Sequence, residues 1–365
     1  MDLKHIEMDK QYLTSVEKNR QYNTKILAFY EKLKRDDLYI HQSDKITRKM
    51  DSIDSCNSLF EIDYYKKQKV KDFKRTNLCK DKFCNNCKKV KQASRMAQFI
   101  PEIEKFKDKG LYHLVLTSPN VNSDQLDCEI KKQLKAFPHL IEFFKSKKKI
   151  SGIDFKKYGY MGAFRSLEVT YKGNMYHPHL HVLLIFENLD ISNKTIVNDY
   201  SINHFEHGKI TRKFSDFEIL IQKIWYLLLN KKRVTKKNID ELDQGYSCIV
   251  DEFREDDYFE LFKYMTKNSS ETFMTYDNFK TLYNALHNVR QIQGYGCLFR
   301  LKDKDISGEV EEMYNKIIEN LKKIEEAEQI YESPDILLKD NKNILISRKK
   351  IHSYLRKLND KDIIQ

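Results

Sequence analysis

Apolar residues recur at helical spacing in some stretches of this chain and at period two, or in unbroken runs, in others. Residues 1–50 are polar with Ile26, Leu27, Phe29, Tyr30 and Leu33 at helical intervals, which predicts a small helical lead-in. From Lys88 the period through Ala93, Met96, Ala97 and Ile100 predicts a helix that stops at Pro101. Leu111 to Ser118 alternates and then becomes wholly apolar, a strand closed by Pro119-Asn120; a charged helical region follows to about Lys149. After a turn region at Gly159–Gly162, Ala163 to Tyr171 is strand-like, and Val182 to Phe186 is an apolar run with β-branched members that extends a strand from Tyr176. Residues 215–230 predict a helix capped by Ser215 or Asp216, with Trp225 in its core face, and Gly294 to Arg300 predicts a bend or closing strand. In residues 301–365, Val310, Met313, Tyr314, Ile317, Leu321 and Ile324 predict a helical C-terminal tail, broken at Ser333-Pro334 and nearly balanced in charge, 13 Lys/Arg against 14 Asp/Glu. A strand, a helix and then an antiparallel strand pair make this an α+β protein with a central antiparallel sheet and flanking helices.

The paired strands carry the chemistry. Gly173-Asn174 suits a two-residue hairpin loop, so Lys172 pairs with Met175, and counting outward sets Glu168 opposite His179 and Ser166 opposite His181. His177, His179 and His181 share one face at period two. Two imidazoles and a facing carboxylate with open positions suit a divalent ion that must still accept a substrate oxygen, with His177 as the reserve ligand.

Charge gives this site a partner class. The 365 residues hold 66 Lys+Arg against 54 Asp+Glu, a net charge of +12, and 12% aromatic residues that include 22 Tyr. A basic, tyrosine-rich surface is expected to meet a polyanion, and aromatic rings suit unstacked bases. No run approaches the ~20 apolar residues of a membrane span, and Met1 to Glu7 lacks the apolar core of a signal peptide, so the expected location is cytoplasmic, with no membrane partner.

In that compartment seven cysteines argue for metal binding or burial over a disulfide framework. Cys79, Cys84 and Cys87 form a CxxxxCxxC cluster, the spacing that presents thiolates to one tetrahedral zinc, with Cys56 or His41 to complete the set. Between Asp63 and Gln92 eleven Lys/Arg face only three Asp, as in a knuckle that meets nucleic acid. Farther on, Glu260, Tyr264 and Lys267 fall at i, i+4 and i+7, about one helical face, where they can serve as base, nucleophile and phosphate anchor.

Together these residues carry a resemblance. His179-Leu180-His181 within His177 to Leu184 resembles the metal motif of the HUH endonucleases. The Glu260…Tyr264…Lys267 spacing, the cysteines Cys56, Cys79, Cys84 and Cys87, and Phe164 to Tyr171 ahead of the histidines resemble the rolling-circle replication initiator (Rep) proteins of small bacterial plasmids, in their single-tyrosine/glutamate branch. Leu114 to Ser118 is similar to that family's first strand motif and Gly296 to Arg300 to its closing segment, so the likeness runs over about residues 50–300. Asn85-Asn86 departs from it, since the family more often has a proline there.

The resemblance implies an enzyme that nicks and joins one DNA strand at a plasmid's double-strand origin. Tyr264 would attack the phosphodiester and stay joined to the 5′ phosphate, leaving a 3′-OH primer. His179 and His181 would hold Mg²⁺ or Mn²⁺, and Glu260 would activate water to end the round. The implied partners are origin DNA, single-stranded at the nick, and the host helicase and replication machinery. The expected organisation is a helical lead-in (1–50), a basic zinc-binding segment (51–98), the HUH endonuclease domain (99–300) and the helical tail (301–365). A conjugative relaxase or single-tyrosine transposase would share the ion and tyrosine but lack the cysteines. A non-catalytic zinc-bearing nucleic-acid binder would keep the cysteines and show no nicking.

Overall fold

The computed structural model describes residues 21–56, 59–65, 70–76, 78–192, 194–204, 208–254, 257–262, 274–299, 338–339 and 344–352. The chain divides into two compact units, Met1–Ala97 with Lys304–Gln365, and Gln98–Asp303.

The first unit opens with a helix (α1, residues 21–34) that buries Tyr22, Ile26, Tyr30 and Leu33, one stripe at i, i+4 and i+3 steps. Helix α2 (Ser43–Asp54) buries Ile46 and Ile53, two turns apart on one side. Strands β1 (Leu59–Tyr65) and β2 (Val70–Thr76) pair antiparallel. Helix α3 (Asn85–Glu104) begins in the first unit and from Gln98 onward belongs to the second; it continues through Pro101, where the apolar pattern predicts a stop. Pro101 sits in the last turn, so the one backbone hydrogen bond it forfeits is near the helix end, and burial of Ile103 beyond it holds that turn in place.

In chain order the second unit contributes β3 (Gly110–Thr117), α4 (Leu126–Phe144), β4 (Tyr160–Lys172), β5 (Met175–Phe186), β6 (Lys194–His204), β7 (Gly208–Ser215), α5 (Asp216–Leu229), α6 (Lys236–Asp240), β8 (Cys248–Glu252), α7 (Asp257–Phe262), α8 (Tyr276–Ala285) and β9 (Ile292–Gly296). Five strands form one antiparallel sheet in the order β8-β3-β5-β4-β9, while β6 and β7 make a separate two-stranded ribbon. This is the α+β architecture expected, a central antiparallel sheet with flanking helices.

Alternation along β5 divides the sheet into two faces. On one, Phe186 meets Phe144 of α4 and Phe217 of α5 at centroid distances of 5.6 and 5.8 Å, and Tyr176 Oη donates to Asn278 Oδ1 of α8 at 2.6 Å. On the other, Phe164 of β4 packs against Phe99 of α3 and Phe262 of α7 at 4.9 and 5.6 Å. Burying such rings contributes roughly 1.5–3 kcal/mol each, so both faces are anchored and the central strands are fixed.

Local chemistry sets the pairings. Gly173 (φ 58°) and Asn174 (φ 62°) are both left-handed, the conformation of a type I′ hairpin loop, and Lys172 pairs with Met175 as counting from that loop predicts. Pro178 lies one residue past the last β3–β5 rung, Thr117↔His179, so its missing N–H costs that ladder nothing; its carbonyl accepts from Gln133 Nε2 of α4 at 2.8 Å. Ser215 caps α5 through a reciprocal pair with Glu218, whose Oε1 also accepts the Val250 N–H of edge strand β8 at 2.9 Å. Trp225 is fully buried as expected and donates from Nε1 to the Thr117 carbonyl at 2.8 Å.

The chain returns to the first unit with β10 (Leu338–Lys339) and β11 (Ile344–His352), giving the sheet order β10-β11-β1-β2. This corrects the expectation of a helical tail over its described part: β11 lies along β1, with Ile62 paired to Lys349. Ile344, Ile346 and Ile351 supply β-branched residues, and β1 supplies the edge that an isolated reading of the tail lacks. The helically spaced run Val310–Ile324 lies outside the described residues.

Candidate active site

The β4–β5 register sets Glu168 opposite His179 and Ser166 opposite His181. Glu168 Oε2 lies 3.1 Å from His179 Nε2 and 2.9 Å from His181 Nε2. All three residues are buried, and their ligand atoms fall within 4.8 Å of one another, a group able to hold a metal ion. Two features fit a cation here. The donor set of two imidazole nitrogens and a carboxylate suits a divalent ion. The second oxygen, Glu168 Oε1, is buried without a hydrogen-bond partner, which is costly for a carboxylate that no positive group neutralises. Burial opposes ionisation of Glu168, but the His179 and His181 imidazoles beside it outweigh that effect and hold the carboxyl well below the ordinary carboxylate range.

His177 lies beside this group, its ring 5.1 Å from that of His179. Its Nδ1 is buried without a partner, and burial followed by the nearby His179 lowers its pKa to about 4. It is not among the three converging ligands.

Two further residues join the site that sequence reasoning did not single out. His113 of β3 sits with its Nε2 3.1 Å from His181 Nδ1, the rings stacked at 5.3 Å, and its Nδ1 lies 2.9 Å from Asp257 Oδ1 at the start of α7. The only prior signal was a histidine inside an otherwise apolar strand; the pairing of β3 with β5 that brings it to His181 is not set by any short turn.

Glu260 lies on α7, its backbone within the same short helix as Asp257. Tyr264 and Lys267 lie outside the described residues, as does the Glu260 side chain. Tyr258, the neighbouring tyrosine, is buried, its ring 4.9 Å from Phe253 and 6.4 Å from Phe262, so it serves as a packing residue.

In the first unit Cys56, Cys79, Cys84 and Cys87 converge, and Cys56, not His41, completes the set. The Sγ atoms of Cys56 and Cys84 lie 3.6 Å from each other, those of Cys56 and Cys87 3.6 Å, and those of Cys79 and Cys87 3.4 Å. Four thiolates at about 2.3 Å from one zinc stand about 3.8 Å apart along the edges of the tetrahedron, whereas a disulfide brings two sulfurs to about 2.0 Å. The arrangement fits a tetrahedral ion. The Lys80 N–H donates to Cys87 Sγ at 3.3 Å and Asn23 Nδ2 to Cys84 Sγ at 3.5 Å, the partners that a negatively charged thiolate cluster needs.

Part of the chain is similar to known proteins. Residues 70–200 match the family described as Replication protein, a span that holds Cys79, Cys84, Cys87, Glu168, His179 and His181 and ends before Asp257 and Tyr264. A "Protein rep" of Staphylococcus aureus is 36% identical over 143 residues, covering 37% of this chain and 57% of that protein. A "Protein rep" of Lentilactobacillus hilgardii is 30% identical over 114 residues, covering 30% of this chain and 33% of that one. One from Bacillus amyloliquefaciens is 30% identical over 113 residues, covering 30% of each chain. The chain thus spans little more than half of the first of these relatives and about a third of the others. No solved structure matches. The match to the Replication protein family runs through the residues that build the Glu168–His179–His181 group, so this segment of the chain is similar to that family and to the Rep proteins named above.

Proposed function

We propose that the protein is a plasmid rolling-circle replication initiator that nicks and rejoins one strand of the double-strand origin through a tyrosine. One observation carries the reading: Glu168, His179 and His181 converge on a single point, inside the segment shared with the Replication protein family. The site is of the HUH type, with His179, His181 and Glu168 as the ligands of Mg²⁺ or Mn²⁺. When bound, that ion supplies Lewis-acid polarisation of a phosphate oxygen at the nick.

The protein's own groups do the rest. A free phenol has a pKa of about 10 and stays protonated at neutral pH, so an ammonium three residues along, that of Lys267, would favour the phenolate of Tyr264. The tyrosyl oxygen bonds to the scissile phosphorus, the bond from phosphorus to the 3′ oxygen breaks, and that oxygen takes up a proton to become the 3′-OH primer. In the closing step Glu260 accepts a proton from water, the water oxygen bonds to phosphorus, the bond from phosphorus to the tyrosyl oxygen breaks, and that oxygen leaves as the phenolate, which takes up a proton from solvent. The four cysteines hold a structural zinc in the basic first unit, whose charge suits the phosphates of duplex DNA beside the nick. Such a protein works in the cytoplasm with a helicase and polymerase of its host; among the described residues no helix is long and apolar enough to cross a membrane.

The test is cleavage of a single-stranded oligonucleotide carrying the origin of the replicon that encodes the protein. Cutting with Mn²⁺ and none with EDTA is the expected result. Cutting that is indifferent to EDTA, or no cutting of any origin strand, removes the proposal.

A further inference from the structure

We infer that His113 and Asp257 form a positioning pair that fixes the ring orientation and tautomer of His181, and so aims its Nε2 at the Glu168–His179 point. The inference rests on the metal-site reading above and assigns a role to two residues that the family match and the motifs leave without one.

One line of hydrogen bonds runs from Asp257 through His113 to His181. Asp257 is held in place by its own helix turn, where Oδ2 accepts the Arg254 N–H at 2.7 Å, and its Oδ1 faces His113 Nδ1 at 2.9 Å. A carboxylate only accepts, so His113 Nδ1 carries a proton and donates it. In neutral His113 the other nitrogen, Nε2, then holds a lone pair. It lies 3.1 Å from His181 Nδ1 and accepts from it. His181 therefore carries its proton on Nδ1, and its Nε2 lone pair points at Glu168.

The same polarity appears at the second imidazole by an independent route. His179 Nδ1 lies 3.1 Å from the His177 carbonyl oxygen, which also only accepts, so this ring too keeps its proton on Nδ1 and turns its Nε2 lone pair inward. Two lone pairs and a carboxylate oxygen thus meet at one point, the donor set that a shared divalent cation satisfies. A backbone carbonyl sets the proton of one imidazole, whereas a side-chain pair from two distant elements, β3 and α7, sets the other. The second arrangement ties α7, the helix that carries Glu260, to the ligand group through the stacked rings of His113 and His181.

The experiment is Mn²⁺ affinity of the full-length protein, read by titration calorimetry and by the spin-resonance signal of free Mn²⁺, so nicking is not needed. Asp257→Asn keeps the size of the side chain but lets its amide donate to His113 Nδ1, which permits the reversed proton order. Asp257→Asn and His113→Ala are each expected to weaken Mn²⁺ binding about 10–100-fold, the loss usual for an outer hydrogen-bond partner of a metal ligand. Asp257→Glu, which keeps the carboxylate, is expected to recover part of it. Affinities within twofold of wild type in Asp257→Asn and His113→Ala, while His179→Ala abolishes binding, overturn the pair and leave the metal-site reading intact. Wild-type protein whose Mn²⁺ binding is indifferent to His179→Ala overturns both. Nitrogen-15 spectra of histidine-labelled wild-type protein give a second readout that needs no variant to fold: His181 with its proton on Nδ1 supports the pair, and a proton on Nε2 overturns it.

Discussion

Glu168 stands directly across the β4–β5 ladder from His179, and its Oε2 lies 3.1 Å from Nε2 of that residue. Neither strand alone holds this arrangement; the two-residue loop at Gly173-Asn174 creates it by fixing which residues face each other. If the pair holds an ion needed for cutting, His179→Ala and His181→Ala should each lower the cleavage rate by more than about 100-fold, beyond the loss typical of an outer partner. DNA retention in a filter-binding assay should stay close to wild type, because binding rests on phosphate contacts made elsewhere. Normal cutting by both variants would mean that this group is not the active centre.

The loop itself can be tested. Gly173→Val forces a β-branched residue to φ 58° and is expected to cost about 1–2 kcal/mol, lowering the melting temperature of the unit that contains the hairpin. Asn174→Gly keeps left-handed freedom and should change the melting temperature far less. Equal losses from the two substitutions would separate the register from the loop geometry.

The hairpin register was legible because a short loop lets residues be counted from one strand to the next, and His179 and His181 at period two then need one facing carboxylate. His113 and Asp257 were not legible, since β3 reaches β5 across the long α4 crossover and α7 packs from a distant part of the chain. The same non-locality hid β11, whose partner β1 lies near the other end of the sequence. Pro101 misled for a different reason: a local rule against proline in helices was outweighed by the burial of Phe99 and Ile103 on either side of it. The β6–β7 ribbon carries a register shift between Ile196 and Ser201, which blurs the period-two pattern that would have announced it.

For the cysteines, metal analysis of protein purified without chelator should give about one zinc per chain, the stoichiometry of a single four-cysteine site. Cys84→Ser removes one ligand and should release the metal and lower the melting temperature of the first unit, whereas Cys128→Ser, at an exposed free cysteine outside the cluster, should do neither. A folded, zinc-free preparation contradicts the assignment.

Glu260 is expected to act after the cut. Glu260→Gln keeps the size of the side chain but cannot take a proton from water, so nicking should persist while release of the covalent product slows by about 100-fold or more. A time course of adduct on a denaturing gel checks this. Loss of the first cut would move Glu260 from the closing step to the opening one.

The residue joined to DNA distinguishes a tyrosine-linked cut from any other. An origin oligonucleotide incubated with the protein and Mn²⁺, quenched early and digested with trypsin and nuclease, leaves a phosphorylated tyrosine remnant that mass spectrometry can place. Cleavage after Lys263 and Lys267 puts Tyr264 in peptide 264–267, apart from Tyr258 in peptide 255–263. The account predicts the remnant on Tyr264 and its disappearance in Tyr264→Phe, with Tyr258→Phe still forming it. A remnant on Tyr258, or a cut strand with no tyrosine joined to its 5′ phosphate, would contradict it.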